Sequence, residues 1–203
     1  MPLIGDHAPE FHAMTTQGKI DFPADYKGSW VVLFSHPADF TPVCTTEFIA
    51  LSRMNETFES LNTKLIGLSI DSLHSYLGWI KSIEALNFNN EGKVKIPFPI
   101  IADISMNVAK KYGMLQTVAN TQTVRAVFII DPEGMIRTIL YYPMSTGRNI
   151  PEIIRILQSL QLNDKTHYST PANWQPGDDV VMGAPLTIEE AQERLESSDN
   201  TIK

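Results

Sequence analysis

The chain has 203 residues, 43% of them hydrophobic, and a formal net charge of −7. That is enough apolar chain for one full core with a small appendage, and the acidic balance argues against a general nucleic-acid role, because phosphate binding needs a basic surface. The five histidines show no metal-ligand spacing, no glycine-rich phosphate loop is present and no apolar run approaches ~20 residues, so neither metal, cofactor nor membrane span is expected.

The first six residues carry neither a basic n-region nor an apolar h-region, so no signal peptide is expected. The single cysteine, Cys44, fits a reducing cytoplasm. Residues 9–22 suggest a hairpin around Thr16-Gln17-Gly18-Lys19. Residues 30–34 read as a buried strand, and Phe48, Leu51, Met54 or Asn55, Phe58 and Leu61 follow at a helical period. Residues 64–70 are a second buried strand. Asp71 or Ser72 then caps a helix carrying Leu73, Leu77, Ile80 and Ile83. A polar loop spans 87–95. Residues 98–102 form a third strand, and Pro99 places it at an edge or a strand start. Asp103 opens a short helix that Gly113 closes. Residues 114–124 look irregular. Strands follow at 125–130 and 135–142, joined by the turn Asp131-Pro132-Glu133-Gly134. A helix carries Ile150, Ile153, Ile154, Leu157 and Leu160. This order gives an α/β domain with a mixed sheet.

Composition changes after Leu162. Residues 163–186 are rich in Asn, Asp, Pro, Gly and Thr, with Trp174, Val180, Val181 and Met182 embedded. Such a piece cannot build its own core and should lie on another surface. Thr187 with Glu190 forms a capping box before a short charged helix. The expected division is a main domain at 1–162 and a C-terminal extension at 163–203.

Cys44 stands in His36-Pro37-Ala38-Asp39-Phe40-Thr41-Pro42-Val43-Cys44-Thr45-Thr46-Glu47, where a strand gives way to a helix. Thr41 suits the N-cap and Pro42 the first helical position, which makes Cys44 the third helical residue. The N–H groups of Val43 and Cys44 then lack helical acceptors and point out of the helix start. A thiol there feels the positive end of the macrodipole, which favours the thiolate, the nucleophilic form. The bland alternative is a buried cysteine acting as a small hydrophobe. Against it stand the helix-start position, the prolines Pro37 and Pro42, and the Thr41 hydroxyl. A C-x-x-C dithiol would need a cysteine at position 41. Threonine is there, so no internal disulfide can form and a one-thiol chemistry remains.

Residues 37–44 resemble the Pro-x-x-x-Thr-x-x-Cys signature of the peroxiredoxins. The wider stretch 35–47 closely resembles the one-cysteine, peroxiredoxin-6-like branch. The likeness continues at 123–132, at 146–149, and at 171–174 with Gly177 and Asp178 following. It implies a thioredoxin-like fold with a mixed central sheet, an N-terminal extension and a C-terminal appendage that packs across a homodimer, with higher rings also open. It implies a thiol-dependent peroxidase acting on hydrogen peroxide and organic hydroperoxides through a Cys44 sulfenic acid. With no second cysteine, an external thiol reductant must recycle that acid.

The resemblance also implies roles. The N–H groups of Val43 and Cys44 supply donors to the charge that develops on the peroxide oxygens. Thr41 accepts from the peroxide and donates toward sulfur. Pro37 shapes the site and keeps water from the thiolate. Arg125 reads from its context alone as a strand-end surface charge; the resemblance places it against Cys44, favouring the thiolate and holding peroxide. Arg148 matches a second family arginine. Glu47 has two readings, an orienting partner for these arginines or a plain first-turn carboxylate suited to the dipole. His36 is read either as a hydrogen-bond partner near the thiol or as a satisfied strand-end histidine.

Small thiols, glutathione with a helper, a thioredoxin-like protein and ascorbate are all open as reductants. Without a resolving thiol, excess peroxide should drive Cys44 on to sulfinic acid. Three alternatives remain beside the peroxidase. A peroxide sensor or redox-regulated chaperone would use the same cysteine. Some relatives hydrolyse lipids through a serine at the position of Ser29, but the histidine expected six residues earlier is Pro23 here, and a serine without a base is a poor nucleophile. A purely structural module would leave Cys44 unreactive.

Overall fold

The computed structural model describes residues 1–115, 122–196 and 201–202. Most of the stretch expected to be irregular, at 116–121, lies outside them. The chain divides into two units, Met1–Ile150 and Pro151–Lys203.

The first unit opens with a hairpin of β1 (Phe11–Thr15) and β2 (Gly18–Phe22), closed by the Thr15↔Gly18 pair. Then come β3 (Trp30–Ser35), α1 (Pro42–Arg53), α2 (Asn55–Ser60), β4 (Thr63–Ser69), α3 (Leu73–Ala85), β5 (Ile100–Ala102), α4 (Asn107–Tyr112), β6 (Arg125–Ile130) and β7 (Ile136–Tyr142). The seven strands make one sheet in the order β2-β1-β5-β4-β3-β6-β7. β3, β4 and β5 run parallel, and the other pairings are antiparallel. This mixed α/β sheet with helices is the thioredoxin-like fold.

Every residue of β3 is buried, as a strand covered on both faces requires. Alternation sends its side chains to two cores. Val31 and Leu33 join Phe11, Phe22, Ile66, Tyr112 and Phe128 on one side. Phe34 meets Phe48 of α1 and Phe98 edge-on at 5.6 and 5.7 Å on the other.

Three local expectations need refinement. The helix after Cys44 does not run unbroken to Leu61. Met54 leaves the helical region (φ −93°, ψ 3°) and separates α1 from α2. The apolar period continues across that break, so spacing alone could not reveal it. The helix expected to open at Asp103 starts at Asn107; the Asp103 carboxylate reaches forward to the N–H groups of Val108 and Ala109 (3.2 and 2.7 Å). β5 lies inside the sheet, between β1 and β4. Pro99 precedes its first residue and costs no ladder bond, while its carbonyl accepts from Gly67 N–H (2.9 Å).

In the second unit, α5 (Ile150–Thr166, its first residue belonging to the first unit) is followed by β8 (Val180–Val181), α6 (Ile188–Glu196) and β9 (Thr201–Ile202). β8 and β9 pair antiparallel. The Thr187 hydroxyl accepts from Glu190 N–H (3.1 Å) at the start of α6.

Candidate active site

The site forms where β3 ends. The hydroxyl of Ser35, the last residue of β3, donates to Val124 O (2.6 Å) and accepts from Ala126 N–H (3.1 Å). These two bonds pin the start of β6 beside the end of β3. Arg125, the first residue of β6, is thereby carried next to the start of α1, where Cys44 sits.

Cys44 is fully buried, and Arg125 is buried with it. Arg125 Nη1 lies 3.2 Å from Cys44 Sγ and 2.7 Å from Glu47 Oε2. Its Nε and Nη2 both donate to the carbonyl of Met144 (3.0 and 2.8 Å). The guanidinium is therefore held on two sides with one edge turned to sulfur. Strand-end context reads it as surface; the turn between β7 and α5 covers it instead.

Glu47 ties the two arginines together. One carboxylate oxygen accepts from Arg148 N–H (2.8 Å) and Arg148 Nε (3.0 Å). The other accepts from Arg148 Nη2 (2.6 Å) and Arg125 Nη1. Arg148 Nη1 donates to the carbonyls of Ser35 and Ala126 (2.9 and 3.2 Å), closing the network onto both strands. Burial alone would push the Glu47 carboxyl up. The Arg148 charge and hydrogen bonds, with the Arg125 charge behind them, outweigh it and hold the carboxyl below the usual carboxylate value. Glu47 is thus an ionised buried group with four donors, the arrangement in which a buried charge is tolerated.

The helix start matches its expected position. Thr41 is the N-cap in extended conformation (φ −98°, ψ 144°) and Pro42 the first helical residue. The first intrahelical bond is Thr45 N–H to Thr41 O (3.0 Å), so the N–H groups of Val43 and Cys44 lie ahead of it. The Thr41 hydroxyl does not cap; it donates to Ala38 O (2.9 Å). Pro37, in the loop itself, is buried. Phe40 sits between, 61% exposed and with a left-handed φ of 56° that a bulky residue rarely adopts.

His36 is fully buried and meets an acid rather than the thiol: Nε2 lies 3.1 Å from Asp39 Oδ1. Phe48, Tyr76 and Trp79 surround its ring with centroids at 4.9, 6.0 and 5.1 Å. Burial pushes its basicity down. The bond and charge of Asp39 oppose that shift, Arg148 adds to it, and the net direction is down from 6.5. The fold therefore holds His36 neutral where the unfolded chain would protonate it. The stability this confers is present above the unfolded value and lost as pH falls. Thermal unfolding should show stability declining as pH falls below about 6.5. His36→Asn should remove that slope.

The structure thus brings Cys44, Arg125, Glu47 and Arg148 into one bonded cluster, with Thr41, Pro37 and Val43 on the loop and helix start beside it. His36 lies behind that loop. Two contributors escaped sequence reasoning: the Met144 carbonyl, which carries no side-chain signal, and the Ser35 hydroxyl, one of many serines. Ser29 and Pro23 share a cleft with His7, but the Ser29 hydroxyl pairs with the amide oxygen of Asn62 (3.4 Å), not with an imidazole. Among the described residues no helix is long and apolar enough to cross a membrane.

Comparison with known proteins gives a consistent result. Residues 4–139 match the model of the AhpC/TSA family, and residues 159–198 match that of the C-terminal domain of 1-Cys peroxiredoxin. A peroxiredoxin of Methanosarcina mazei is 60% identical over 197 residues, covering 96% of this chain and 90% of that protein. One of Hyperthermus butylicus is 51% identical over 198 residues, covering 96% and 83%. Among solved structures, the yeast mitochondrial 1-Cys peroxiredoxin superposes with a TM-score of 0.85 at 41% identity, covering 98% of this chain and 97% of that one. A cysteine-to-serine mutant of peroxiredoxin 6 of Arenicola marina gives 0.84 at 38%, covering 95% and 89%.

Proposed function

The chain belongs to the AhpC/TSA family as a one-cysteine peroxiredoxin and is a thiol-dependent peroxidase, and on that premise we propose how its residues divide the work. Cys44 is the nucleophile. Its thiolate attacks one peroxide oxygen; the S–O bond forms as the O–O bond breaks. The departing oxygen takes a proton and leaves as water or an alcohol, and Cys44 is left as sulfenic acid. Arg125 stabilises both the thiolate and the charge spreading over the two oxygens. The observation that carries this is the single Arg125 Nη1 nitrogen placed on both Cys44 Sγ and Glu47 Oε2. Glu47 and Arg148 hold Arg125 in that pose. Thr41, Pro37 and the N–H groups of Val43 and Cys44 shape the peroxide position. His36 supports the loop from behind.

With one cysteine in the chain, recycling takes two external thiols. The first forms a mixed disulfide with Cys44 and releases water; the second displaces Cys44 and carries away the disulfide. The yeast relative resolves through glutathione and thioredoxin systems, and we place the reductant of this chain in the same thiol class. We further propose that the protein works in the cytoplasm as a homodimer, with residues 163–203 packing across the dimer. Peroxide consumption with each candidate reductant tests the recycling step. Turnover should require an added thiol system, and mass spectrometry without one should find a single oxygen on Cys44, then a second as peroxide is raised. Sustained turnover with ascorbate alone would contradict the thiol assignment.

A further inference from the structure

In the division of roles proposed above, the loop from His36 to Thr41 carries Pro37 and Thr41 to the start of α1, and few hydrogen bonds among the described residues hold it. His36 is fixed at the strand end: its N–H donates to Leu68 O (3.0 Å) and its carbonyl accepts from the Thr123 hydroxyl (2.6 Å). Pro37 has no N–H. Among the described residues the Thr41 hydroxyl bonds within the loop, to Ala38 O. Phe40 is left-handed and exposed. Between His36 and the first helical bond of α1, one backbone hydrogen bond among the described residues ties the loop to another element. Asp39 N–H donates to Asp71 Oδ2 (3.0 Å).

Asp71 lies in the connection between β4 and α3, where it was a candidate helix cap. Ser72 takes that role, its hydroxyl accepting from Ser75 N–H (3.1 Å). The Asp71 carboxylate turns toward the loop. Its aim is set from beneath: the Ser69 hydroxyl donates to the same Oδ2 (2.7 Å) and accepts from Asp71 N–H (3.1 Å) and from the Tyr76 hydroxyl (2.7 Å). Ser69 has one proton to give and two lone pairs to fill, so these contacts leave it no freedom to turn. The Tyr76 hydroxyl also lies 3.2 Å from Ile101 O in β5, a longer contact that shares the same single proton. The Asp39 side chain adds a hold of a different kind: Oδ1 meets the buried ring of His36 (3.1 Å), while Oδ2 has no partner among the described residues, so Asp71 alone grips the loop backbone. Donor atoms of His36, Asp39 and Asp71 lie within 4.8 Å of one another, but His36 Nε2 and Asp71 Oδ2 are occupied by these bonds and leave no open coordination set.

We propose that Asp71, aimed by Ser69 and Tyr76, is a positioning residue for the peroxidase reaction, clamping the Asp39 backbone so that Pro37 and Thr41 stay over Cys44. The proposal rests on the assignment of Cys44 as the peroxide-reacting group. It predicts a specific separation of effects. Among the described residues the hydrogen bonds of Asp71 go to Asp39 and Ser69, not to Arg125, Glu47 or the start of α1, so the nucleophile should survive its loss while the peroxide position degrades.

The test is stopped-flow reaction of reduced protein with hydrogen peroxide, beside alkylation of Cys44 by iodoacetamide at the same pH. Asp71→Ala should slow the peroxide reaction by about tenfold to a hundredfold, the range expected when reacting groups drift by about an ångström. Alkylation should change by less than about twofold. Asp71→Asn keeps an acceptor oxygen and should recover the peroxide rate to within about threefold of wild type. Ser69→Ala keeps the carboxylate but removes its guide, and should lose about threefold to tenfold even where Asp71→Ala yields no folded protein. A wild-type peroxide rate in Asp71→Ala or Ser69→Ala overturns the proposal. So does a loss shared equally by alkylation, or an Asn variant no better than the Ala variant. A slow wild-type reaction would instead overturn the role of Cys44, and this proposal with it.

Discussion

Arg125→Ala is expected to slow the reaction of Cys44 with hydrogen peroxide by about a thousandfold, roughly 4 kcal/mol of transition-state stabilisation. The guanidinium is buried beside sulfur at 3.2 Å, where no water can take over its charge. Its removal also leaves Glu47 with three donors instead of four and frees the Met144 carbonyl. Arg125→Lys should recover little of the loss. A single ammonium cannot face Cys44, Glu47 and the Met144 carbonyl together, whereas the planar fork does so in one pose. Stopped-flow rates of the two variants check both statements. A loss below about tenfold in Arg125→Ala would mean that the helix start alone activates the cysteine.

Glu47→Ala should destabilise the fold by about 3–5 kcal/mol, because it strands two buried guanidinium groups against each other. Glu47→Gln should cost less, since the amide oxygen still accepts from one arginine while its NH₂ group faces another donor. Urea unfolding of both variants measures this. The pH dependence gives a second check. Glu47 titrates below the ordinary carboxylate value in the fold, so its contribution is present above that value and lost as pH falls through the depressed one. Wild type should lose this contribution progressively as pH falls below the ordinary carboxylate value toward the depressed one, and the variants should lack that segment of the stability curve.

How much of this was legible in the sequence depends on what carried each signal. The strand, the proline-fixed turn and the helix start around Cys44 follow from residue chemistry alone, and β6 was bounded at Arg125 and Ile130 as found. The burial of Arg125 was not legible from its context. It comes from the loop after β7, whose Met144 contributes only a backbone carbonyl. The break at Met54 hid under an unbroken apolar period. His36 could be placed in the motif but not in its surroundings, because Phe48, Tyr76 and Trp79 come from two helices that the fold brings together. Asp71 was visible as a capping residue; that Ser72 caps and Asp71 turns to the loop depends on how α3 meets β4.

The most direct measurement mixes reduced wild-type protein with one equivalent of hydrogen peroxide in a stopped-flow instrument, with Cys44→Ser run alongside. The expected result is a fast step of one equivalent per chain, many orders of magnitude faster than free cysteine, yielding a sulfenic acid that a trapping reagent captures, and no step in Cys44→Ser. Wild-type protein reacting no faster than free cysteine would contradict it, and would make the Arg125–Glu47–Arg148 cluster a structural feature around an inert thiol.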